Sequence, residues 1–117
     1  MQYRGLFIYV KAYMIVHAKF FQFLRGAVPV IAQIEAHDRD LARQLRRCGS
    51  SIALNTQEGS ASRRGTRRER YRNALGSARE AGACLDVAIA LRYVPEVDGA
   101  LLDQLDSIRA VLATLSK

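Results

Sequence analysis

Residues 38–59 run DRDLARQLRRCGSSIALNTQEG, and how this stretch is read decides the fold. Leu41, Leu45, Cys48, Ile52 and Asn55 recur at steps of four, three, four and three, the spacing of one helix face. Asp38 stands just ahead of the stripe as a candidate N-cap, and Asp40 puts negative charge in the first turn, where the helix dipole favours it. Glu58-Gly59 marks the end, with Gly59 suited to a left-handed C-cap. Arg43, Arg46 and Arg47 fall between its members, and Arg39 just ahead of them. A helix of this kind must bury its one apolar face against partners.

Partners lie on both sides of it. Downstream, Ser60 to Gly65 reads as a small polar loop, and Thr66 starts a third helix with Glu69 three residues on, as in a capping box. Its stripe is Tyr71, Leu75, Ala78, Gly82, Leu85 and Ile89. Val94-Pro95 ends that helix, and Pro95 opens a fourth, in which Leu101, Leu105, Ile108, Leu112 and Leu115 keep a 3.5-residue repeat. Upstream, Leu6, Val10, Tyr13, Met14, His17, Phe20, Phe21 and Leu24 predict a first helix from Leu6 to Arg25, broken by Gly26 and Pro29. Val30 to Glu35 then reads as a short helix with Pro29 in its first turn. Gly49, Gly76 and Gly82 fall inside helices at a cost of up to about 1 kcal/mol each relative to Ala, so close helix approach is expected at them. Four stripes joined by short connections predict an all-α fold, an antiparallel up-down-up-down four-helix bundle forming one domain over residues 1–117.

Composition narrows the function. The chain has 117 residues, 50% apolar and 25% charged, with 2 Pro and 8 Gly, which excludes a disordered or collagen-like chain. Cys48 and Cys84 form no CxxC and no clustered pattern, so neither a disulfide framework nor a zinc site is expected, as suits a reduced cytoplasmic protein. Leu6 to Leu24 is the most apolar stretch, but Lys11, His17 and Lys19 interrupt it, which predicts neither a signal peptide nor a spanning helix. His17 and His37 stand alone, and no HExxH, Glu-x-x-His pair, Walker loop or G-x-S-x-G occurs. The expectation is a protein that is not an enzyme, with no cofactor and no metal.

The charge is what stands out. The chain carries +7, and 15 of its 18 cations are Arg, the fork-shaped donor that suits phosphate and carboxylate. Between Arg39 and Arg72 ten arginines face three acids, which accounts for the whole surplus; the remaining residues balance. An antiparallel helix pair brings Arg63, Arg64, Arg67 and Arg68 together at one loop, and Arg67 and Arg68 lie at the positive end of a helix dipole, where cations are disfavoured. Arg46, Arg47, Arg63, Arg64, Arg67 and Arg68 are therefore the candidate contacts to nucleic-acid backbone. Tyr71 is the one aromatic nearby, so base stacking has little support. A solvated basic face, an acidic protein partner and an anionic lipid surface are the other readings of the same charge.

Several phrases carry a family resemblance: residues 6–12 (LFIYVKA), Gln44-Leu45-Arg46-Arg47, Ser51-Ile52 with Asn55 and Glu58-Gly59, Arg63, and Ala74-Leu75-Gly76-Ser77-Ala78 followed by Glu80. In this order and spacing they resemble the four-helix-bundle family of the S23 or 23S rRNA intervening-sequence proteins, and are similar to the accessory variability determinants of diversity-generating retroelements. Thr56-Gln57 stands where the family usually has two apolar residues. The resemblance implies a homo-oligomer, a pentameric ring, with no catalytic role. It also implies RNA or DNA as a partner, in some relatives beside a reverse transcriptase. Arg46, Arg47 and Arg63 match basic positions of the family, and Asn55 matches a polar position on the inner stripe, where it would bond a neighbouring helix. Independently, Phe7, Tyr9, Phe20, Phe21 and Phe23 point in several directions around the first helix, more than one core can bury, which leaves surface for another subunit.

Overall fold

The computed structural model describes residues 2–117, with side chains from Gly5 onward. Four helices make up the fold: α1 (Gln2–Glu35), α2 (Arg39–Ala61), α3 (Arg64–Ala90) and α4 (Gly99–Leu115). Each packs on its neighbours in sequence, and α4 closes on α1, which is the up-down-up-down bundle the stripes demand. The molecule is a rod 52 × 24 × 19 Å.

The α2 reading holds at its start. Asp38 accepts the Leu41 N–H at 3.0 Å as the N-cap, and Leu45, Cys48 and Ile52 are buried. Its end runs further than expected. Gly59 lies inside the helix without a left-handed conformation, because a Cβ there would come within 2.8 Å of the Tyr71 ring on α3. Its missing side chain serves packing rather than turning. The α2–α3 connection is only Ser62 and Arg63, so Thr66 and Glu69 lie within α3 and its N-cap is Arg63, which makes no side-chain cap bond. Ala74, Ala78, Ala81 and Ala88 line the buried face of α3 and let it close on its neighbours.

The first helix departs most from expectation. It is one continuous rod of 34 residues with Pro29 inside it. Pro29 donates nothing to the Arg25 carbonyl and is exposed, but the buried stripe Val16, Phe20, Phe23, Ala27, Val30 and Ile34 runs straight past it. Burial on the inner side outweighs one lost hydrogen bond on the outer side. Gly26 sits in the same stretch because a Cβ would meet Leu101 of α4 at 2.9 Å. Of the expected face, only Phe20 is buried. Leu6, Val10, Met14 and Phe21 form a second apolar stripe that faces outward, Met14 with 64% of its surface exposed. By length and composition Gly5–Glu35 is also apolar enough to cross a membrane, contrary to the sequence reading. Its inner stripe is spent in the bundle core.

At the far end, α3 stops at Ala90 in a Schellman turn. The Tyr93 N–H reaches the Ala88 carbonyl, the Arg92 N–H reaches Ile89, and Arg92 takes the left-handed conformation with φ of 62°. Pro95 lies in the eight-residue connection rather than opening α4, which is capped by Asp98 through the Ala100 N–H at 3.0 Å. His37 stacks on Tyr93 (5.4 Å, 7° between ring planes), tying the α1–α2 turn to this connection. The α4 stripe, Leu101 to Leu115, is buried as the repeat requires.

Candidate nucleic-acid interface

The six candidate arginines divide into two groups. The tight α2–α3 turn gathers Arg63, Arg64, Arg67 and Arg68 within one and a half turns of chain. Arg46 and Arg47 stand some fifteen residues before the end of α2, about 22 Å along the axis at 1.5 Å per residue. Antiparallel packing of α2 and α3 sets this division: Glu58 meets Arg70 at 3.2 Å, Ser51 meets Ser77 at 2.8 Å and Cys48 meets Glu80 at 2.8 Å. Arg47 is exposed level with the middle of α3, and Arg46 is spent on Glu35 of α1 at 3.1 Å.

At the turn the roles differ again. Arg63, Arg64 and Arg68 are exposed, and none of them makes an ion pair among the described residues. Arg67 folds back. Its Nη2 donates to the Ser62 carbonyl at 3.2 Å, and its guanidinium lies 4.9 Å over the Tyr9 ring. Tyr9 and Tyr71 share a hydrogen bond of 2.5 Å between their hydroxyls, so Arg67 belongs to a clamp joining the turn to α1. Burial first, then that hydrogen bond, pushes the Tyr71 hydroxyl above its ordinary value, and it stays a neutral donor or acceptor. No side chain caps the start of α3, where Arg63, Arg64 and Arg68 fall, and the positive end of a helix dipole favours an anion there.

Asn55 does not bond a neighbouring helix directly. Its Nδ2 donates to the Ser51 carbonyl at 3.0 Å and to Ser51 Oγ at 2.9 Å, and Ser51 and Ser77 link the hydroxyls across to α3. The register bond between helices is thus carried by serines. Thr56, polar at an apolar position, is fully buried and is satisfied by donating to the Ile52 carbonyl at 2.7 Å.

The two thiols are buried, and Cys48 Sγ donates to Glu80 Oε2. Burial, then this bond to a carboxylate, pushes the Cys48 thiol up to about 12, and Cys84 is raised as well, chiefly by burial. A thiol so placed is a poor nucleophile. Among the described residues no three His, Cys, Asp or Glu side chains are grouped to hold a metal.

What spacing in sequence did not single out is the rest of α3. Arg64, Arg68 and Arg72 follow at i, i+4 and i+8, and Arg79 completes the same face. All four are exposed, so the basic surface continues from the turn along the helix.

The family model of the 23S rRNA-intervening sequence proteins matches residues 14–114. A crystal structure from Bacteroides thetaiotaomicron, described as a protein of unknown function from the S23 ribosomal protein family, is similar in fold. Its TM-score is 0.63 with 21% identity, covering 86% of this chain and 91% of that one. No curated protein matches the sequence.

Proposed function

Because this chain belongs to the family of the 23S rRNA-intervening sequence proteins, we propose that it is a non-enzymatic oligomeric bundle that holds nucleic-acid backbone at its α2–α3 turn. The observation that carries this reading is that Arg63, Arg64 and Arg68 are exposed and, among the described residues, unpaired, around a helix start with no side-chain cap, within the segment that holds the whole net charge. Guanidinium groups so placed neutralise phosphates and release counterions without reading sequence.

Self-association, as a pentamer by family resemblance, is supported by the outer stripe of α1. Beside it lies a mostly apolar cleft of about 370 Å³ between α1 and α2, lined by Leu24, Val28, Ile31 and Gly49, with the Glu35–Arg46 pair also on its wall. Several copies would multiply weak backbone contacts into tight binding. The same stripe also suits docking of another protein, such as a polymerase, and a scaffold of that kind is the second reading.

Labelled RNA and DNA, titrated by anisotropy across salt, test the proposal. The log of affinity should fall with the log of salt at roughly −0.9 per duplex phosphate contacted, or about −0.7 on single strands. The Arg63→Gln, Arg64→Gln, Arg68→Gln triple variant should flatten that slope with helicity unchanged. A wild-type protein that binds neither polymer at ~50 mM salt leaves the scaffold as the better account.

A further inference from the structure

Four arginines of α3 share one face. At 100° per residue Arg64, Arg68, Arg72 and Arg79 fall within an arc of about 80°, and from first to last they span about 22 Å. None of the four makes an ion pair among the described residues, whereas Arg43, Arg46, Arg70 and Arg109 each pair with an acid. Two acids of α3 lie to one side of this face: Glu69 is about 60° beyond Arg72, and Glu80, about 80° beyond it, accepts from Cys48 of α2. Gly82 packs on Leu105 and Arg109 of α4, so in an antiparallel pair Asp106 and Asp103 lie level with later residues of α3, beyond Arg79. On α3 itself Asp86 is the acid that ends the line, one heptad past Arg79.

Gly76 is the second observation, and it is independent of charge. It lies at the edge of that arc, about 40° from Arg72 and 60° from Arg79, in mid-helix, where Gly costs about 1 kcal/mol relative to Ala. Gly26, Gly49, Gly59 and Gly82 each have a neighbouring side chain against the place a Cβ would take; Gly76 has nothing within 4 Å, as is also true of Gly5, Gly65 and Gly99 in the first turns of their helices. Packing inside the bundle does not explain it. A bare backbone flanked by arginines is where a ligand strand can come closest.

We infer that a nucleic-acid strand lies along α3, its phosphates on Arg64, Arg68, Arg72 and Arg79 and its backbone passing over Gly76. This rests on the polyanion reading above and adds a direction and a footprint: the strand runs parallel to the rod for about 22 Å instead of touching only its tip.

The test compares the wild type with two double variants of equal charge change. Arg72→Gln with Arg79→Gln should lower the steepness of the salt dependence by about 1.4 to 1.8, two contacts at 0.7–0.9 each. Arg39→Gln with Arg43→Gln, at the other end of α2, should keep the wild-type slope. Gly76→Leu, which adds bulk and no charge, should weaken binding while the thermal midpoint rises. If the wild type binds but the Arg72/Arg79 variant keeps its slope, or the Gly76→Leu variant binds as tightly as wild type, the α3 track is wrong and the turn proposal stands. If the wild type does not bind at all, both fall.

Discussion

Individual residues in this chain answer to local rules that the tertiary structure sometimes overrides. Arg92 is one such case. It occupies the left-handed position of the Schellman turn after α3, a conformation that costs an L-residue about 1–2 kcal/mol and Gly almost nothing. Arg92→Gly is expected to raise stability by about 1 kcal/mol, read from the midpoint of urea unfolding. Cys48 sets a pH limit instead. Its thiol is raised from 9.0 to about 12 in the folded state, so the native protein holds the proton that the unfolded chain releases first. The stability this represents is complete below pH 9 and drains away as pH climbs from 9 towards 12. Denaturant unfolding measured across that range should therefore show falling stability, and Cys48→Ala should show a shallower fall. Thr56 and Asn55 make the complementary point: both find their partners in their own helix, Ile52 and Ser51, one turn back.

Elements obey propensity until packing outbids it. Pro29 and Gly26 together are a strong signal to end a helix, and α1 ignores them because Phe23, Ala27, Val30 and Ile34 remain in the core on either side. Pro29→Ala restores the missing donor at an exposed position and should raise stability by up to about 3 kcal/mol, measured by thermal unfolding. The choice of face on α1 shows the same limit. Two apolar stripes with helical spacing lie side by side on this helix, and periodicity alone does not say which one enters the core. By contrast, α2 and α4 carry a single stripe each, and there Leu45, Cys48, Ile52 and Leu101 to Leu115 are buried as their spacing requires. The short α2–α3 turn was hidden for a different reason. Ser60, Ser62, Gly65 and Thr66 all read as loop formers, yet Ser60 and Ser62 hydroxyls bond back to the Gln57 and Glu58 carbonyls and help end α2.

For the whole molecule, the two surfaces that matter are the outer stripe of α1 and the basic face of α3. Leu6, Met14 and Val28 each leave more than half of their surface exposed, an apolar band longer than a monomer normally shows. Met14→Glu with Phe21→Glu should leave the fold intact by circular dichroism and reduce the mass seen in light scattering to that of one chain. An unchanged mass would mean that this stripe does not mediate assembly.

Charge confinement between Arg39 and Arg72, four amphipathic segments and their order along the chain were all written in the sequence, because each depends on spacing or composition within one segment. What tertiary packing alone decided was which cations remain free. Arg46 finds Glu35 and Arg70 finds Glu58 only when helices distant in sequence are laid side by side. Arg67 is drawn onto Tyr9 in the same way, while Arg64, Arg68, Arg72 and Arg79 are left facing water. An ion pair or a cation–π contact falls off over a few ångströms, and which groups come that close is a property of the packed bundle, not of the distance along the chain.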